Sequence, residues 1–106
     1  MIKELHFDEK ANIWKGALTG ELDVFEAPKL LEGMQRALSE HPAGVILDCG
    51  ELTYVDSMGL GALVKLHKQV EAAGGTVVLT EVLPRIRKLF AITGLLGTFG
   101  MEEGNG

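Results

Sequence analysis

The segment Leu52-Thr53-Tyr54-Val55-Asp56-Ser57-Met58-Gly59-Leu60-Gly61 sets a carboxylate beside a hydroxyl where a helix begins. Such a pair can cap the helix, attack a substrate, or accept a phosphoryl group. Attack from a strand-to-helix elbow needs glycine two residues before the serine, and Val55 stands there. His67 is the only histidine that follows, and it falls on the apolar stripe of its helix, as a core or boundary histidine does. Gly59-x-Gly61-x-x-Val64 lacks the third glycine of a phosphate-binding loop, and Lys65 is not preceded by the Walker glycine. No catalytic residue is therefore assigned, the chain reads as a non-enzyme, and no cofactor is expected. Capping alone leaves the neighbours unexplained. Met58 is a large apolar residue in an exposed first turn, and Gly59 and Gly61 weaken the helix without local gain. Packing of helix on sheet explains Gly61 at least as well as a partner does, and Gly59 is assigned to the close approach of a partner.

The rest of the chain offers little other chemistry. Cys49 is the single cysteine and follows an apolar run, so it reads as a buried, inert thiol. His6, His41 and His67 lie far apart with no ligand-spaced companions, so no metal site is expected. With 10 Lys and Arg against 15 Asp and Glu, a net charge of −5 and no basic run, nucleic acid is a poor partner. The charged start Met1-Ile2-Lys3-Glu4 is not a secretory signal, and no apolar run is long enough for membrane insertion. A cytoplasmic protein is expected.

The elements that must hold Asp56 and Ser57 follow from periodicity. Ile2 to Phe7 and Asn12 to Thr19, joined by Asp8-Glu9-Lys10, read as a strand pair. Leu30, Leu31, Met34 and Leu38 trace a helix from Ala27, with Pro28 in its first turn and Pro42 beyond its end. Val45-Ile46-Leu47 reads as a strand buried on both faces that Asp48-Cys49-Gly50 ends. Leu60, Leu63, Val64, His67 and Val70 trace the second helix, closed by Gly74-Gly75, and Thr76 to Leu79 is the next buried strand. Pro84 opens a third helix with Ile86, Leu89 and Phe90 inward and Gly94 as its cap. Leu95 to Met101 is expected to add a short edge strand, and Trp14 and Phe90 to sit in the core. Crossovers of this length demand parallel strands. The expectation is one α/β domain over 1–106, a mostly parallel sheet of four or five strands with an antiparallel edge strand, and about three helices. Gly20-Glu21-Leu22 and Gly50-Glu51-Leu52 look alike, but the segments after them diverge at once.

Taken together, Gly20-Glu21-Leu22-Asp23, Val55-Asp56-Ser57-Met58-Gly59-Leu60-Gly61, and Ile86-Arg87-Lys88-Leu89-Phe90 followed by Thr93-Gly94-Leu95 resemble the STAS domain, and within it the bacterial anti-sigma factor antagonists. The resemblance runs through nearly the whole chain. It implies that Ser57 is phosphorylated by a partner that is both serine kinase and anti-sigma factor, and that the unphosphorylated chain binds that partner and so controls sigma-dependent transcription. A separate serine phosphatase resets the switch. The implied binding face comprises Asp23, Asp56, Ser57, Met58 and Gly59. Met58 departs from the small residue common at its position. The chain also runs to Gly104-Asn105-Gly106 without the family's usual last helix, which raises the chance of self-association or of a role in a larger assembly; a monomer or weak homodimer is expected. The alternative is a STAS scaffold or transporter-associated module that binds protein or nucleotide without phosphorylation, with Arg85, Arg87 and Lys88 available for docking or simply solvated.

Overall fold

The computed structural model describes residues 1–101, so the terminus ending in Gly104-Asn105-Gly106, and with it the expected absence of a last helix, lies outside the described residues. The elements are β1 (Ile2–Asp8), β2 (Ile13–Leu22), α1 (Glu26–Glu40), β3 (Gly44–Val55), α2 (Ser57–Ala72), β4 (Val77–Thr80), α3 (Pro84–Ile92) and a 3-10 turn at Gly97–Phe99. The β1–β2 hairpin closes where Asp8 Oδ1 accepts from the backbone N–H of Lys10 and Ala11. Lys15 Nζ lies 3.0 Å from Asp8 Oδ2 and helps hold that half-buried carboxyl below its usual range.

The four strands lie in sequence order, β1 antiparallel to β2 and the other neighbours parallel. Each crossover adds the next strand on the same side, and crossovers of this kind are right-handed. Both connecting helices therefore fall on one face of the sheet, where α1 and α2 pack together. The register aligns Trp14 with Val45 and Val45 with Val77, and Gly16 with Leu47 and Leu47 with Leu79. These rows bury Trp14, Val45, Leu47, Val77 and Leu79 against Leu30, Met34, Leu63 and Leu66 of the helices.

Several expectations are corrected. Burial alternates along Val45-Ile46-Leu47, so β3 is fully covered on one face only. The strand also runs on through Asp48-Cys49-Gly50 to Val55, and β2 runs on to Leu22. Ala17 and Thr19 pair with Asp48 and Glu51, and Gly20 and Glu21 pair with Leu52 and Tyr54, so β3 carries an extra residue at each of two bulges. The strand bends there, with Gly50 N–H donating to Asp48 Oδ1, and what reads as a strand end is a bulge. Leu95 to Met101 forms no strand. It winds as the 3-10 turn, burying Phe99 edge-on to Phe90 at 5.4 Å. Trp14 and Phe90 are buried as expected, and Trp14 Nε1 donates to the His41 carbonyl over 2.9 Å. Gly94 takes a positive φ, with Leu95 N–H donating to the Phe90 carbonyl, the cap expected of it.

Phe99 is fully buried although it lies past the last regular helix. Phe99→Ala is expected to cost about 3–5 kcal/mol in urea unfolding, as truncation of a buried aromatic does; a cost under about 1 kcal/mol would show that this segment is not part of the core.

Candidate functional site

Parallel strands β2 and β3 end side by side, with Leu22 paired to Val55, and each feeds a helix at once. Two turns thus meet outside the carboxyl ends of the strands, the edge where open α/β sheets present their sites. Asp56 holds the two turns together. Its Oδ1 accepts from Gly59 N–H over 2.8 Å and caps α2, and its Oδ2 accepts from Val24 N–H over 3.2 Å in the other turn. Its own N–H donates to the Leu22 carbonyl. With one backbone N–H held by each oxygen, the carboxylate ties the two turns together.

Gly59 follows from the same closure. A Cβ there would overlap the Leu22 carbonyl oxygen and stand 2.8 Å from Leu22 Cγ. Gly59 is buried, and the close approach it permits is to this chain's own β2. The expected assignment is therefore reversed, and Gly59 is withdrawn from the binding face. Gly61 is exposed, and a Cβ there would meet nothing within 4 Å, so packing of helix on sheet does not explain it.

Ser57 and Met58 are both exposed in the first turn of α2, Met58 by 55%. The Ser57 hydroxyl has no hydrogen-bond partner among the described residues and opens onto a groove of about 400 Å³ between α1 and α2. Ala27, Pro28 and Leu31 form one wall, and Met58, Gly61 and Ala62 the other. Ser57, Gly61 and Lys65 are spaced by four residues and share a helix face, with Lys65 at the far end of the groove.

Asp23 turns the chain into α1. Its Oδ1 accepts from Phe25 and Glu26 N–H, each over 3.0 Å, and its carbonyl accepts from Ala27 N–H. It lines a neighbouring hollow with Gly20, Glu21 and Glu26 rather than the groove itself, and is joined to the Ser57 turn through Asp56 and Val24. Sequence reasoning passed over Val24, Phe25 and Tyr54, which are exposed by 47%, 76% and 48%. Two apolar residues directly after a helix-initiating aspartate were the available signal.

The remaining candidates lie elsewhere. His67 has an 18% exposed side chain, places Nε2 3.6 Å from Glu71, and meets Phe99 edge-on, with Nδ1 buried and without a partner among the described residues. It is a boundary histidine away from the groove lining. Burial pushes the Cys49 thiol up to about 12. Arg85 and Lys88 are exposed on α3, and neither they nor Arg87 line the groove. Among the described residues no three or more His, Cys, Asp or Glu gather as a metal site, and no helix is long and apolar enough to cross a membrane.

The STAS domain family model matches residues 8–104. The anti-sigma-B factor antagonist of Bacillus subtilis is 36% identical over 94 residues, covering 89% of this chain and 81% of that protein. The solved structure of the anti-sigma factor antagonist SpoIIAA of Bacillus in its unphosphorylated form superposes with a TM-score of 0.70 at 22% identity, covering 87% of this chain and 83% of the other. A sulfate transporter family protein from Wolinella succinogenes superposes at 0.73 and 22% identity, over 86% and 74%, so the fold by itself does not choose between regulator and transporter module.

The two glycines separate by stability. Gly59→Ala should destabilise by about 1–3 kcal/mol through overpacking on Leu22, and Asp56→Ala by about 0.5–2 kcal/mol through loss of the cap. Gly61→Ala should stabilise by about 1 kcal/mol. Denaturant unfolding of the three variants checks the order; a destabilised Gly61→Ala would contradict it.

Proposed function

The chain belongs to the STAS domain family, and on that premise we propose that it is an anti-sigma factor antagonist that controls sigma-dependent transcription by partner switching. The observation that carries the reading is Ser57, a hydroxyl exposed and, among the described residues, unpartnered at the start of α2, on the turn where two βα connections are locked together. Unphosphorylated chain binds an anti-sigma factor that is also a serine kinase, and the sigma factor is released. The kinase then moves the γ-phosphoryl group of ATP to Ser57 Oγ: a new O–P bond forms, the β–γ bridging bond breaks, ADP leaves, and the hydroxyl proton passes to the kinase or water. A separate phosphatase hydrolyses the ester. Within this scheme the chain acts as one cytoplasmic regulatory unit without chemistry of its own.

A helix N-terminus suits the product. The macrodipole favours an anion there by about 0.3–1 kcal/mol, and the phosphate carries roughly −1.5 to −2 charges near neutral pH. Asp56 keeps its two backbone partners, so the turn has no reason to open. The interface is affected far more. Burying that charge beside Asp56 and near Asp23, against a surface fitted to a neutral hydroxyl, costs several kcal/mol. Since about 1.4 kcal/mol is tenfold in affinity, binding is lost while the fold persists. Asp23, Asp56, Ser57 and Met58 form the centre of the proposed face, and the exposed Phe25 and Val24 extend it.

Intact mass spectrometry after incubation with ATP and each serine kinase of the anti-sigma type from the same genome tests this. One phosphate is expected on the chain and none on Ser57→Ala. No phosphate with any of these kinases would overturn the regulator reading in favour of an unphosphorylated STAS scaffold.

A further inference from the structure

Gly61 is the residue that the fold leaves without a reason. After proline, glycine is the least favourable residue in a helix interior, and Gly61 sits in α2 with open space where its side chain would be. Its neighbour Gly59 is required by Leu22, so the two glycines need separate explanations. The open space above Gly61 is the floor of the α1–α2 groove, bounded by Ala27, Pro28, Leu31, Met58 and Ala62. Lys65, at the end of that groove, is exposed and makes no ion pair among the described residues, and it is the one charged residue in the groove lining. Among the described residues, a chain of net charge −5 thus offers Lys65 as a cation without an ion pair beside its apolar groove.

We propose that this groove seats an apolar side chain of the anti-sigma partner against Gly61, and that an acidic residue on the same partner segment pairs with Lys65. This rests on the reading of Ser57 as the switch. Ser57 and Met58 line the groove and also form the exposed turn, so a partner covering Ser57 covers the mouth of the groove as well. The exposed Phe25 caps the start of α1, two residues before Ala27 of the groove wall. The absent side chain at Gly61 admits the anchor, and the spacing from Gly61 to Lys65, one helical turn, sets where the partner's carboxylate must lie. Charge complementarity selects the partner, because a basic residue at that place would meet the Lys65 ammonium. The arrangement also sharpens the switch. A phosphate on Ser57 stands on the same helix face as Lys65 and repels the carboxylate that Lys65 attracts.

Isothermal titration of the unphosphorylated chain with the purified kinase that phosphorylates Ser57 tests the inference. Gly61→Leu fills the groove without touching the core, so its melting temperature should be no lower than that of wild type while its affinity falls by at least about tenfold. Lys65→Glu should fall by about tenfold or more. Lys10→Glu, with the same charge change in the β1–β2 turn at the opposite end of β2, should bind as wild type. Wild-type affinity in both Gly61→Leu and Lys65→Glu would overturn the inference and leave the Ser57 switch standing. Loss of affinity in Gly61→Leu alone would overturn the acidic contact. A wild-type chain that binds no such kinase would overturn both.

Discussion

The carboxylate of Asp56 is the interaction on which the site depends. One oxygen satisfies the open N-terminus of α2 through Gly59, and the other reaches Val24 in the turn that begins α1. A helix start has unsatisfied N–H groups that some acceptor must meet. Here a single side chain does so while joining two turns that are more than thirty residues apart in sequence. Two consequences follow. Gly59 must lack a side chain so that α2 can close on Leu22, and Ser57, the next residue after the cap, is carried outward with its hydroxyl unpartnered among the described residues.

The same tie explains how a modification can act on binding alone. A switch that worked by melting the turn would have to break both Asp56 bonds, yet a phosphate one residue further on is favoured by the same helix end that Asp56 caps. In the proposed switch the free energy of the modification is therefore expressed at the surface, where desolvating a dianion is costly, and not in the fold. Exposed apolar groups around the turn, Phe25 and Met58 above all, are the complement of that surface and gain nothing from exposure in the isolated chain.

Much of this was legible in the residues themselves. The helical stripes, the parallel order and the cap at Asp56 follow from spacing and residue type, because each is a local demand of backbone geometry. The errors share a cause as well. Glycine is the same signal whether the atom that comes close belongs to the same chain or to another, so residue type alone points Gly59 to a partner, where the structure has Leu22 against it and open space at Gly61. Asp48-Cys49-Gly50 contains turn residues, and only the pairing with β2 shows that they form a bulge in a longer strand. Phe99 lies in a segment without periodicity, and its burial depends on α2 and α3 arriving from either side. The groove belongs to no segment at all, since its walls come from two helices brought together by the handedness of their crossovers.

The central claim is that a phosphate on Ser57 changes what the surface binds without changing the fold that presents it. The most direct measurement is a pair of ¹H–¹⁵N correlation spectra of the chain with and without that phosphate. The account predicts shifts confined to the β2–α1 turn, the end of β3 and the first turns of α2, with the signals of Leu47, Val77 and Phe99 unmoved. Shifts spread through β3, β4 and the Phe99 turn would contradict it, because the phosphate would then be acting on the core.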